Sequence, residues 1–330
     1  MIEILIFFVA ASLLLYIVLG GADYGAGILE LFPTDYKEEQ RKIINNAMGP
    51  VWEANHMWLI LIVVILFMGF PLIFNLVMVS LHIPMVALLL GIVVRGTAFT
   101  FRHYDAVTEP RSQNFYSYLF GYSSLWTSFW LGVIGASLDR GRIDPEATDF
   151  FLAYVSPWWG LFPVSMGIFV CCIFTFLASV YLIGETDRPA LRTLFRKRAF
   201  VLNIAMVVSG ILVFVASYME GTDLLSKFWS HQFAFVFVSL VVALFVVLWI
   251  VAIKRRPLAA RIVAATQAGV IMAGWFWVNA PVVLTLKSGP LSFYDAAAPA
   301  ATLRQLVLAL LIGSLVIFPS LFYLLRIFKK

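Results

Sequence analysis

The sequence predicts an all-α, polytopic membrane protein of about nine transmembrane helices, arranged as two four-helix bundles plus one peripheral helix. Three observations predict it. The 330 residues are 62% hydrophobic and only 12% charged, with 30 Phe and 10 Trp, a composition suited to lipid rather than to a soluble core. Apolar runs of spanning length recur along the whole chain. The basic residues fall unequally in alternate connections, 17 on one side against 5 on the other, with Arg95 inside a span.

The spans fall near 3–24, 51–69, 72–100, 116–137, 156–183, 199–219, 229–253, 261–286 and 303–326, within one integral membrane domain covering 1–330. The first opens without a basic segment and has no cleavage site followed by a polar domain, so Met1 to Leu19 reads as a retained helix and not as a signal peptide. Gly69-Phe70-Pro71 joins the second and third spans so tightly that they form an antiparallel hairpin. Pro84 predicts a kink or tilt in the third span. Asp139 to Asp149 is an acidic loop, and Ser288 to Ala301 is rich in Ala, Pro and Gly. No repeat of 20–50 residues is visible.

The basic surplus sets orientation. Lys37, Arg41, Lys42, Arg102, Arg111, Arg188, Arg192, Arg196, Lys197, Arg198, Lys254, Arg255, Arg256, Arg261, Arg326, Lys329 and Lys330 fall on the heavily basic side, and Arg140, Arg142, Lys227, Lys287 and Arg304 on the other. Nine spans then put the N-terminus outside and the C-terminus in the cytoplasm of a bacterial or archaeal cell membrane. A basic balance this small, spread over loops, does not argue for nucleic acid.

Three ionisable residues converge in the first third of the chain. Asp23 sits in Gly20-Gly21-Ala22-Asp23-Tyr24-Gly25-Ala26-Gly27, Glu53 at the head of the second span, and Arg95 near the end of the third. A charge deep in hydrocarbon costs about 2.5–3.5 kcal/mol on insertion scales, so such residues usually face a protein interior and serve ions or protons. All three fall near the cytoplasmic ends of their spans. Singly, each has a structural alternative: Glu53 as a helix N-terminal carboxylate, Arg95 reaching to headgroups, Asp23 closing a helix where glycines permit a turn. Together they form an acid, an acid and a base in one layer, which favours a functional role.

Gly21 and Gly25 make a small-xxx-small pair, with Gly20 and Gly27 flanking Asp23 on one face, a spacing that admits a neighbouring backbone. Trp52, Asn55 and His56 share a face, and Glu53 with His56 one turn on is a candidate proton relay. Trp52 and Trp58 read as interfacial anchors. His82 is expected to make an interhelical hydrogen bond rather than ligate haem, and His103 and His231 to be solvated. Cys171 and Cys172 are neighbours in an apolar run and read as packing. No Walker loop, dinucleotide fingerprint, zinc-protease motif or cysteine cluster is present, so no metal site and no redox centre are expected in the chain.

Gly21-Ala22-Asp23-Tyr24-Gly25-Ala26-Gly27, followed by Asn46-Ala47-Met48-Gly49-Pro50-Val51-Trp52-Glu53-Ala54-Asn55-His56-Met57-Trp58-Leu59-Ile60, resembles subunit II of cytochrome bd quinol oxidase, including its cyanide-insensitive branch. Arg95, Gly96, Phe99 and Arg102 fit the same family's pattern. The first hundred residues hold nearly all the specific motif, and the rest matches as hydrophobic spans. The resemblance implies a haem-free subunit paired in a pseudosymmetric heterodimer with a homologously folded subunit I. That partner would carry two haems b and one haem d and oxidise quinol. It also implies a proton route from the cytoplasm, with Glu53 at its mouth and Asp23, Arg95 and His56 behind it. Some members carry aspartate at the position of Glu53 and glutamine at that of His56. Some relatives hold a structural quinone in this subunit, and the resemblance leaves open a small single-helix third subunit as a further partner. Read from the residues alone, a proton-coupled secondary transporter and a purely structural membrane scaffold stay open beside the oxidase.

Overall fold

The computed structural model describes the backbone of all residues except 50, 51, 105–109, 223, 231, 232, 254, 255, 329 and 330. Pro50 and Val51 of the second motif, His231, Lys254, Arg255, Lys329 and Lys330, and the side chains of His103 and Arg326, therefore lie outside the described residues.

The chain begins with one long apolar rod: α1 (Ile2–Leu15), a π-helical turn (Tyr16–Gly20) and α2 (Gly21–Leu29). It runs five residues beyond the predicted end at 24, because Gly25 to Leu29 stay apolar and helix-compatible. The extra residue of the π turn, where the Gly21 amide reaches back to Tyr16 O, shifts the register of everything after it. That shift lets all of α2, Asp23 included, be buried.

Next come α3 (Lys37–Met48), α4 (Trp52–Gly69), α5 (Pro71–Ser80) and α6 (His82–Tyr104). Phe70 alone joins α4 to α5 and is fully buried. At the far end of α4, Trp52 lies 5.3 Å from the Phe99 ring of α6, so these segments do form an antiparallel hairpin. The predicted third span is broken rather than bent. Leu81, with φ −111° and ψ 22°, leaves the helix, because the Pro84 ring displaces the carbonyl of Ser80 and cannot bond to it. His82 accepts this break locally: its Nδ1 lies 2.8 Å from Val79 O on the preceding turn. Among the described residues His82 makes no hydrogen bond to a helix outside this broken span.

Helix α7 (Pro110–Asp139) contains the predicted span 116–137, yet it is not among the eight helices of the described residues that are long and apolar enough to cross a membrane. The count of nine by composition is thus not met. Its Ser117, Ser123, Ser124, Thr127, Ser128 and Ser137 are all buried, since α7 packs between α2, α6 and α9. Five of these hydroxyls donate to a carbonyl one turn back at 2.6–2.7 Å, which satisfies them inside the protein.

After the short α8 (Phe150–Tyr154) come α9 (Leu161–Leu182), α10 (Pro189–Met219), α11 (Leu224–Ser230), α12 (Ala234–Ile253) and α13 (Pro257–Asn279). α10 begins ten residues before the predicted 199 because Pro189 seeds a basic, helix-favouring extension. The predicted span 261–286 ends at Asn279 instead. Val282–Leu286 and Gly289–Ser292 form an antiparallel hairpin, β1 and β2, whose β-branched residues suit strands. α14 (Ala300–Phe328) closes the chain.

The long helices group as predicted. α1/α2, α4, α6 and α7 make one bundle, and α9, α10, α12 and α13 the other, with α2 and α7 packed on α9 between them. α14 lies outside both, against α4 and α1. On the face remote from α3, Arg140 ties the loops together. It bonds to Glu220 at 2.8 Å and to the carbonyls of Ser156 and Trp159, while Lys227 reaches Asp139 at 2.9 Å.

Candidate functional site

Asp23 and Arg95 meet as the sequence predicts. Arg95 Nη2 lies 2.6 Å from Asp23 Oδ1, and both side chains are almost completely buried. Arg95 Nε donates to Ser124 Oγ at 3.0 Å and Nη2 to the Asp23 carbonyl at 3.3 Å. The guanidinium carbon lies over the rings of Tyr24 (4.6 Å) and Phe120 (4.8 Å). Removing two charges from water costs several kcal/mol each, so this pair persists because the cation's fork is used on three sides. The Asp23 carboxylate is less well served: it has close charge contact with Arg95 but, among the described residues, no well-aligned hydrogen-bond donor.

Two glycines bring the helices this close. A Cβ on Gly25 would sit 1.9 Å from the backbone oxygen of Phe174, and one on Gly27 would sit 2.2 Å from Ser124 Oγ. Gly21 also faces Phe174, so the Gly21/Gly25 pair is the surface on which α2 meets α9. Gly27 meets α7 and Gly20 faces Tyr16 and Asn55, so these two do not share the single face around Asp23 that spacing predicts. Seven residues of regular helix separate them, and the neighbours they meet lie on different helices.

A second layer continues from the first. The hydroxyls of Tyr16 and Tyr24 are 3.0 Å apart in the buried interior. The His56 ring stands edge-on to Tyr24 at 6.1 Å and to Trp52 at 6.3 Å. Asn55 Nδ2 reaches the Leu19 carbonyl at 3.5 Å, beside the π turn. His56 thus flanks the ion pair through Tyr24 without bonding to it.

Glu53 behaves differently. It is exposed and, among the described residues, makes no hydrogen bond or ion pair with Asp23, Arg95 or His56. Asn55 and Trp58 point inward, while Glu53, Met57, Ile60, Val64 and Phe67 form the outer stripe of α4. The expected layer of acid, acid and base is therefore one closed pair plus one outward carboxylate. Periodicity explains it: the spacing from 53 to 57, 60, 64 and 67 is a single helix face.

A further pair was not anticipated. Glu30 accepts two bonds from Arg102 Nη1 at 2.7 and 2.9 Å, with Arg102 also bonded to Asn45 Oδ1 and its guanidinium 4.6 Å from the Phe120 ring centre. Burial pushes the Glu30 carboxyl above its usual range, and the charge of Arg102 opposes that shift. The signal was available, since Glu30 is seven residues after Asp23 and Arg102 seven after Arg95. No group of three or more His, Cys, Asp or Glu gathers among the described residues.

A family model for the cytochrome bd terminal oxidase subunit II matches residues 1–328. The chain belongs to that family. It is 28% identical over 210 residues to cytochrome bd ubiquinol oxidase subunit 2 of Bacillus subtilis, a match covering 63% of this chain and 60% of the relative. It is 26% identical over 133 residues to cytochrome bd-I ubiquinol oxidase subunit 2 of Escherichia coli, covering 40% of this chain and 34% of that one. These matches span less than two thirds of either relative's length. The bd oxidase structure from Geobacillus thermodenitrificans superposes with a TM-score of 0.79 over 99% of this chain and 98% of the other, at 19% identity, which establishes a shared fold. Asp23 lies in the first of the two segments that carry the resemblance, Glu53 lies within the second, and Arg95 lies on α6.

Proposed function

We propose that this chain is the haem-free subunit II of a bd-type quinol:oxygen oxidoreductase, supporting a haem-bearing subunit I and lining a proton route to its oxygen-reducing site. The family match over nearly the whole chain supports the assignment to such an oxidase. Haems b and d and the quinol site belong, in this reading, to the partner. Quinol protons leave on the outer side and protons for oxygen reduction enter from the cytoplasm, so the reaction itself builds the gradient.

The observation that carries the route is the placement of Glu53. An exposed carboxylate heads an otherwise apolar helix face, and hydrocarbon is a costly neighbour for it. Cover by subunit I removes that cost and turns the carboxylate into a group at a protein–protein seam, where water and protons can pass. Asp23 and Arg95, with His56 against Tyr24, hold α4 from behind. The test is Glu53→Gln in the assembled complex: oxygen consumption falls while haem content is unchanged. Unaltered turnover would remove Glu53 from the route.

A scaffold reading is favoured for the inner pair alone. Arg95 spends its donors on Asp23 and Ser124 and its faces on two rings, which leaves little freedom to carry protons. Amide substitution at Asp23 is then expected to cost assembly before it costs turnover.

A further inference from the structure

At the heavily basic side of the second bundle, the ends of α9 and α12 and the starts of α10 and α13 surround a cavity of about 140 Å³. Three arginines line it, Arg192, Arg196 and Arg256, together with Thr193. Its floor is apolar, formed by Ile183, Ala252 and Ala260. Pro189 and Pro257, the first residues of α10 and α13, complete the wall, and no side chain caps either helix. Two uncapped helix N-termini add their free amides and partial positive charge to that of the arginines.

The nearby acids are already engaged. Asp187 binds Arg192 at 2.8 Å and Glu185 binds Arg261 at 2.7 Å. Arg196 and Arg256 have no acidic partner among the described residues, and Arg196 Nε is buried without any acceptor. Two guanidinium charges at one cavity without a carboxylate between them make an anion the missing member of this cluster. We propose that this cavity binds a phosphate-bearing anion, supplied by the headgroup of an anionic phospholipid.

Position favours the lipid as the source. The cavity lies at the ends of four helices of membrane-spanning length. Below it, the exposed faces of α10 (Phe200, Val201, Ile204, Val208) and of α12 (Val246, Ile250) offer apolar surface for acyl chains. Basic pockets between transmembrane helices at a membrane surface commonly take such headgroups.

The assembled complex, delipidated in detergent, is titrated with phosphatidylglycerol, with phosphatidylcholine of the same chains and with inorganic phosphate, and read by native mass spectrometry. The expected result is retained phosphatidylglycerol, little phosphatidylcholine, and no displacement by millimolar phosphate. Arg196→Gln with Arg256→Gln weakens that retention about thirtyfold, from the contribution of two surface arginines, and lysine at both positions restores part of it. Equal retention by the double glutamine variant overturns the site. Displacement by inorganic phosphate, with no preference between the two lipids, overturns the lipid source. Should the double variant fail to assemble, Arg256→Gln alone carries the test, because that side chain is exposed.

Discussion

Arg95 and Arg102 share one aromatic ring: their guanidinium carbons lie 4.8 and 4.6 Å from the centre of Phe120, which is fully buried in α7. The two arginines are seven residues apart on α6, about 10.5 Å along its axis. Asp23 and Glu30, their carboxylate partners, are seven apart on and just beyond α2. The first and third long segments therefore run parallel, with two acid–base rungs between them. Two like charges tolerate a common ring because each has its own carboxylate and the ring face is itself negative.

Phe120→Leu is expected to destabilise the protein more than Phe162→Leu, although both rings are fully buried. Each loses packing, but only Phe120 also loses two desolvated cation–π contacts, at roughly 1–2 kcal/mol apiece. Thermal unfolding of the two variants side by side makes the comparison. Equal losses would mean that Phe120 serves as packing alone.

Arg95→Gln strands the Asp23 carboxylate and is expected to cost about 3–5 kcal/mol. Asp23→Asn strands the cation and costs a similar amount. The double variant Asp23→Asn with Arg95→Gln recovers part of either loss, because no unpaired charge remains. Additive losses in a double-mutant cycle would show that the two residues are energetically independent despite their contact.

The inner pair was legible in the sequence because a charge within an apolar run must find a partner, and Asp23 and Arg95 fell at matching depths. The outward direction of Glu53 was not legible. Its face is decided by which side of α4 packs on α1, and both sides of that helix are apolar. α7 was read as a span from hydropathy, and its buried hydroxyls are what keep it out of the eight helices that length and composition alone mark. The hairpin at 282–292 was hidden because Val282, Val283 and Leu284 extend the apolar pattern of α13 beyond its true end. Pro84 signalled a disturbance correctly, while its severity depended on Leu81 leaving the helix.

Glu53→Gln is expected to leave the unfolding midpoint within experimental error, since surface substitutions away from special contacts usually change stability by less than 0.5 kcal/mol. Asp23→Asn lowers it. Measured together with oxygen consumption, the pair separates a proton-handling residue from a structural one. A stability loss in Glu53→Gln as large as that in Asp23→Asn would assign both acids to the scaffold.

Gly25→Ala provides the strictest test of how α2 is seated. A Cβ there would stand 1.9 Å from the Phe174 carbonyl oxygen, and that obstacle is backbone, which cannot rotate away. α2 and α9 must separate, so Arg95 loses its alignment with Asp23 and Ser124 as well. The expected loss is at least the 1–3 kcal/mol of an overpacked core, and assembly suffers with it. Gly135→Ala in α7 is the control: a Cβ there meets nothing within 4 Å, and helix propensity favours alanine by about 1 kcal/mol. Co-expressed with its partner, the Gly135 variant should match or exceed the parent in yield and unfolding midpoint while the Gly25 variant falls in both. Comparable behaviour of the two would mean that α2 and α9 do not meet backbone to backbone, and the geometry that closes the Asp23–Arg95 pair would need revision.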